Sequence, residues 1–360
     1  MVLYSYVGGN IMEYIDMHTH TNHSDGSSTV EKSLQKAEQL GLKIISISDH
    51  NTVSAYDEIE KSSIRSLYSG EIVPGVEITT TYNGEVIEVL GYGFDIKKMK
   101  ELLKKNVYSF YDKQIAESKL NLAIFKKYGV YLSTEFEKKM CEHPEELFDP
   151  NKTSSRKAFL DEIKKNLENT KFFDSREQME EMTIRDFTRN IVYNPKSNLY
   201  VNQAPLYPSL DKTIEIIHKA GGITFLAHLY EYSPTIADSL EDITDNYKLD
   251  GIECYYATFT REQSNFLKKY CETHNLYKSC GSDFHGYEVK PNNHMGFATE
   301  GEKMEKSIIS EWLDKVNHIL KPVSTRQKFI ESIKNKGISS ETKTNGKIER
   351  SVEKDKSIEL

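Results

Sequence analysis

Several short apolar runs in this chain share one construction: each stops on an imidazole or a carboxylate. YIDMHTH ends on His18 and His20, KIISISDHN reaches His50, EIVPGVEITT carries Glu77, ITFLAH ends on His228, and KSCGSDFHG carries Asp283 and His285. After the first run, Val30, Leu34, Ala37 and Leu40 form one apolar stripe closed by Gly41, with Ser28 and Glu31 at capping-box spacing. The first ~95 residues therefore read as strand, helix, strand, which predicts βα units on a parallel sheet.

In parallel β/α architectures the C-terminal ends of the strands form the catalytic face. Segments far apart in sequence would then deliver their imidazoles and carboxylates to one place. That many ionisable groups cannot share a desolvated pocket uncompensated. Divalent cations resolve the conflict, and nitrogen and carboxylate ligands suit zinc, manganese or iron. Spacing supports the same reading. Residues i and i+2 of a strand face one way, so His18 and His20 can grip one ion, and Asp283 and His285 repeat the device. Glu77 is the natural carboxylate to bridge two ions. Paired metals clamp the attacking and leaving oxygens of phosphoryl transfer and make hydroxide at neutral pH, so no separate protein nucleophile is needed.

Other polar residues read differently. His23 lies in a polar loop and reads as a surface or supporting residue, whereas Asp16 either orients a ligand histidine or supports the loop. His143, His218, His274, His294 and His318 have no partners in the pattern, and Cys141, Cys254, Cys271 and Cys280 read as packing residues.

The pattern divides the 360 residues into an N-terminal extension (1–12), a first β/α part (13–97), a helical insertion rich in Lys and Glu (98–205), a second β/α part (206–322) and a charged, largely disordered tail (323–360). Helices are expected over LDKTIEIIHKAGG, from Arg261 to His274 and around Lys306 to Leu320. Met12 is a possible alternative start. A formal charge of -8 argues against a protein that coats long duplex nucleic acid, although a fragment could sit in a local pocket. No run approaches the ~20 apolar residues of a membrane helix, and the start lacks the form of a signal peptide. Reduced thiols in a cytoplasm are the simple expectation.

DMHTHTNHSDG, SDHNT, PGVEIT, LGYGF, LAH and GSDFHG, in that order, resemble the PHP-domain (polymerase and histidinol phosphatase) metallophosphoesterases. The resemblance covers about residues 14–97 and 205–290, and is closest to phosphatases of nucleoside 3′,5′-bisphosphates and short 5′-phosphorylated oligonucleotides. It implies an α/β fold, a distorted (β/α)7 TIM-like barrel with a helical insertion. It also implies a trinuclear site. His18, His20, Glu77 and Asp283 would hold one ion, Glu77 would bridge to a second on His228, and Asp25, His50 and His285 would hold the third. Glu88, in GEVIEVLGYGF, stands where the family has a histidine for the second ion. As a ligand it should favour manganese or magnesium, and it could instead leave only two ions bound. A cation usual after the LAH histidine is also missing from AHLYEY. Arg156 and Lys157, in SSRKAFL, are offered as phosphate contacts. The expected activity is hydrolysis of small phosphate monoesters or short nucleotides by a metal-bound hydroxide. The alternatives are a histidinol-phosphate phosphatase and a non-catalytic metal-binding PHP module.

Overall fold

In the computed structural model, which describes residues 6–7, 10–149 and 153–323, the apolar runs form two sheets. A short hairpin, β1 (Tyr6–Val7) and β2 (Asn10–Ile11), comes first. The smaller sheet is parallel, in the order β3 (Ile15–Thr19), β4 (Ile44–Ile47), β5 (Glu71–Ile72). The larger has five strands in the order β10-β9-β8-β7-β6, built from β6 (Gly75–Tyr82), β7 (Glu85–Tyr92), β8 (Ile223–Leu226), β9 (Gly251–Tyr256) and β10 (Tyr277–Gly281).

This sheet corrects the expectation of a wholly parallel one. β7 runs antiparallel to both β6 and β8. The cause is local: Asn83 and Gly84, with φ of 49° and 82°, turn the chain directly from β6 into β7, the backbone that Asn-Gly adopts in a two-residue hairpin. No helix separates the two strands, so Glu88 lies inside a strand opposite Thr79 rather than at a strand end.

The sheets meet along two seams, one of which reaches Glu77 near the start of β6. Thr19 bridges to Phe284 on one side and His50 to Glu77 on the other, each a single parallel bridge. The architecture is thus mixed α/β with two sheets meeting edge to edge. Gly281 permits one seam, because a Cβ there would lie 2.0 Å from the Cβ of His18.

Helices cover the sheets. The first, Val30–Leu40, is capped by Thr29, whose hydroxyl accepts from Lys32 N, not by Ser28; Gly41 closes it at φ 67°. Leu210–Lys219 and Arg261–His274 lie where the apolar periodicity puts them. The helix expected around Lys306–Leu320 is shorter: a 3-10 turn, Lys306–Ile309, then Ser310–Leu313, after which Leu320 bridges to Ile72.

Residues 110–201 carry a separate apolar cluster around Phe125, Phe136, Phe159 and Phe187. Its principal helices are Phe110–Lys127, Thr134–Glu142 and Arg156–Ile163. Ile96–Asn106 instead packs Met99 and Leu103 into the core of the sheets. The charged stretch from residue 324 lies outside the described residues. Among the described residues, no helix is long and apolar enough to cross a membrane.

Candidate metal centre

The seams bring the polar strand ends together. His18 lies in β3 and His20 follows it, while the loop beyond carries Asp25. Asp49 shapes that loop by accepting from the amide and hydroxyl of Thr21, each at 2.7 Å, and from Ser24 Oγ at 2.7 Å. His50 follows β4, Glu77 and Glu88 lie on the two strands of the hairpin, opposite Leu90 and Thr79 respectively, and His228 follows β8. Asp283 and His285 follow β10. His228 and Asp283 adopt φ of 21° and 52°, uncommon for side-chain-bearing residues and a cost carried at functional sites.

Glu77 lies at the middle. Its Oε2 is 3.2 Å from His18 Nε2, His20 Nε2 and His50 Nδ1, and its Oε1 is 2.9 Å from His228 Nε2. Glu88 reaches His50 Nδ1 at 3.2 Å and His228 Nε2 at 3.3 Å. Asp283 Oδ1 lies 3.5 Å from His18 Nε2 and 3.2 Å from both His20 Nε2 and His285 Nδ1. Asp25, more exposed, is 3.1 Å from His285 Nε2 and 3.7 Å from His20 Nδ1 and His50 Nε2. All nine residues singled out as ligands therefore meet in one place.

These contacts have the character of ligands around ions. His18 Nε2 and His20 Nε2 face one another at 3.0 Å, and His20 Nδ1, His50 Nδ1, His228 Nδ1 and His285 Nε2 are buried without a hydrogen-bond partner. Ligand atoms ~2.1 Å from a common ion are ~3.0–3.4 Å apart, the spacing seen here. Four groups of donors could each hold an ion: His20, Asp25, His50 and His285; His18, Glu77 and His228; His18, His20 and Asp283; His50, Glu77 and Glu88.

Charge is correspondingly concentrated. Burial opposes charge on His18, yet Glu77, Glu253 and Asp283 hold its pKa well above the usual value. His20 is pushed up to about 9: burial pulls it down, but hydrogen bonds to Asp283 and Glu77 prevail. Against the same desolvation, the histidines keep Glu77 and Asp283 well below the ordinary carboxylate range, and Asp25 is lowered by His285, His50 and His20. The residues fit divalent cations, whose positive charge can replace the protons on these rings.

Supporting residues hold the donors. Glu253, fully buried on β9, accepts from His18 Nδ1 at 2.9 Å and from the His228 amide at 2.8 Å, which leaves His18 Nε2 free to ligate. Asp16 supports the loop: it accepts from the amides of His18, Ser282 and Gly296 and from Ser282 Oγ, while burial raises its carboxyl to about 6. Tyr256 donates to Asp283 Oδ2 at 2.6 Å, and Lys290 pairs with the same oxygen. His23 is turned away, onto Ser54 and Glu58. Sequence reading missed Glu253, Tyr256 and Lys290. The signal for Glu253 was an acidic residue inside the apolar strand LDGIECYYA.

A cleft of about 1980 Å³ opens on the centre. Asp25, His50 and Glu88 line one part of it, and Tyr108, Tyr111, Lys113 and Tyr207 of the insertion side line another. Lys113 sits over the Tyr207 ring at 4.9 Å, and burial lowers its pKa. Arg156 packs on Tyr193 at 4.8 Å and reaches Glu117 at 3.4 Å, whereas Lys157 is exposed and paired with Asp161 on the outer helix face. The structure does not bring Lys157 to the centre.

The sequence pattern of the PHP domain family matches residues 16–318. The chain belongs to the PHP domain family. It is 26% identical over 289 residues to a 5′-3′ exoribonuclease of Haemophilus influenzae, covering 75% of this chain and 89% of that protein. A 3′,5′-nucleoside bisphosphate phosphatase of Chromobacterium violaceum is 22% identical over 276 residues, 76% of this chain and 88% of the relative. Among solved structures, a C. violaceum protein described as an amidohydrolase, with bound sulfate, aligns with a TM-score of 0.56 at 19% identity over 87% of this chain and 99% of that one. The fold of this PHP protein is thus shared with that solved chain, and its clustered donors are groups that could hold metal ions.

Proposed function

We propose that this metal-dependent phosphoesterase removes phosphate from nucleotides, with nucleoside 3′,5′-bisphosphates or short 5′-phosphorylated oligonucleotides as its substrate class. One observation carries the reading: the donor cluster reaches, through Asp25, His50 and Glu88, a cleft of about 1980 Å³ whose other lining residues include Tyr108, Tyr111 and Lys113, the last over the Tyr207 ring. Tyrosine faces suit bases, and a lysine suits a second phosphate. The names of the relatives support the same substrate class.

In this reading three ions share the donors. His18, His20, Glu77 and Asp283 hold one; Glu77, His228 and Glu88 hold a second; Asp25, His50 and His285 hold the third. The distances from Glu77 to His18 and from His228 to Glu77 and Glu88 support this division, while His50 also reaches both carboxylates. When bound, such ions activate water and neutralise charge on phosphoryl oxygens. Glu77 fixes the relative position of the donor groups, and Glu253 keeps the His18 ring turned toward them. Lys113 and Arg156 hold the non-reacting phosphate. Glu88 biases the centre toward manganese or magnesium, because carboxylate oxygen suits harder ions than imidazole does. The two sheets, meeting at Thr19–Phe284 and His50–Glu77, are read as parts of a distorted (β/α)7 barrel. Four free thiols fit a reducing cytoplasm.

Elemental analysis of purified protein, with phosphate release followed over mononucleotides, bisphosphates and short oligonucleotides, tests the reading. Glu77→Ala or Asp283→Ala should abolish turnover and lower metal content. Full activity with unchanged metal in either variant would refute it.

A further inference from the structure

Asp283 is bonded on both oxygens. Its Oδ1 faces the donor cluster, 3.2 Å from His20 Nε2 and His285 Nδ1. Its Oδ2 already accepts from the Tyr256 hydroxyl at 2.6 Å, yet it is also paired with the ammonium of Lys290. A hydroxyl is enough to orient a carboxylate. A lysine beside a metal-binding carboxylate carries a cost as well, because its charge opposes that of the incoming ions. The arrangement makes chemical sense if the cation serves the anion that the ions attract.

The position of Lys290 fits that use. The segment after His285 folds back over Asp283: the Lys290 amide donates to Gly286 O at 3.0 Å, and Asn293 Nδ2 donates to Ser282 O at 2.9 Å and Asp283 O at 3.2 Å. The Lys290 side chain remains 38% exposed while Asp283 is 3% exposed, so the ammonium lies at the boundary between the buried cluster and solvent. Glu77 and Asp25 are close enough to act on it electrostatically. The residues after His228, Leu229 to Tyr232, offer no cation at their own edge of the cluster.

We propose that Lys290 is a substrate-binding residue, whose ammonium takes a non-bridging oxygen of the phosphoryl group that arrives over Asp283. The inference rests on the phosphoesterase reading above. Lysine binds phosphate as a flexible point charge, and a short swing of its four-carbon stem transfers the ammonium from Asp283 to the ligand. It remains protonated and takes part in no bond making. Substrate binding and alignment of Asp283 would then be alternating tasks of one side chain, with Tyr256 holding the carboxylate while the lysine is away.

The test compares wild-type, Lys290→Gln and Lys290→Arg proteins loaded with manganese. Three quantities are read: metal per chain, affinity for inorganic phosphate by calorimetry, and kcat/KM for phosphate release. Lys290→Gln should keep the wild-type metal content, bind phosphate ~10-fold or more weakly and lose ~10–100-fold in kcat/KM, and Lys290→Arg should restore most of both. Unchanged phosphate affinity in Lys290→Gln would overturn the proposal. Loss of metal in step with activity would overturn it too, because the lysine would then act only by positioning Asp283. If the wild type releases no phosphate from any ester but binds inorganic phosphate through Lys290, the hydrolytic reading fails and this one stands.

Discussion

Asp16 and Glu253 show what single buried acids contribute here. Asp16 ties three backbone amides and a hydroxyl from both ends of the chain to β3. In Asp16→Asn one oxygen becomes an amide that meets donors, leaving buried groups unpaired. A loss of about 1–3 kcal/mol is expected in denaturant unfolding of the metal-loaded protein. Glu253→Gln turns an amide toward either His18 Nδ1 or the His228 N–H, so it cannot serve both. Metal affinity should fall ~10–100-fold with the fold intact, read by competition with a chromophoric chelator. Protonation gives a second handle. His20 has its folded pKa raised to about 9, so in the metal-free protein its stabilising charge is fully present below its unfolded value of ~6.5 and lost as pH rises through about 9. Chelated protein should therefore be less stable at pH 9.5 than at pH 6.5, and metal uptake at neutral pH should release protons that calorimetry in two buffers counts. The residues legible in sequence were those written in pairs or at strand ends, such as His18 with His20 and Asp283 with His285. Glu253 was hidden because its strand continues past it, and Lys290 because only a folded-back loop brings it to Asp283.

The hairpin is the element on which the site turns. Asn83 and Gly84 set the register that pairs Thr79 with Glu88, and this register carries Glu88 to His50 and His228. Gly84 sits at φ 82°, so Gly84→Val should cost about 1–2 kcal/mol and, with Glu88 a ligand as proposed, weaken metal binding. Loss of stability with unchanged metal affinity would show that Glu88 finds its place independently of the turn. The Asn-Gly pair is itself a plain hairpin signal, and it is this turn that sets β7 antiparallel to β6. The Ser28 and Thr29 hydroxyls both precede an acidic or polar first turn, so sequence alone could not choose the cap. The insertion was legible as a change of composition. Its contribution to the cleft was not, because Lys113 and Tyr207 are 94 positions apart by their own numbering and meet only through packing.

At the scale of the molecule, the donors divide between the sheets. His18, His20, Asp25 and His50 belong to the smaller one, and Glu77, Glu88, His228, Asp283 and His285 to the larger. Ions held by donors of both sets, as proposed, would span both seams. Binding to the folded state alone stabilises by about 4 kcal/mol at a free concentration 1,000 times the dissociation constant. Chelation should therefore lower the melting temperature by several degrees, and scanning calorimetry before and after metal removal would measure it. An equal melting temperature in the two states would mean that the seams hold without the ions. The seams also bear on how such a protein tolerates change. If chelation does lower the melting temperature, the reactive centre is also the fastening, and the chain cannot lose one without weakening the other. Variants at these nine positions would drop out of a solubility screen as readily as out of an activity screen, and an inactive homologue that kept all nine would have kept them for cohesion.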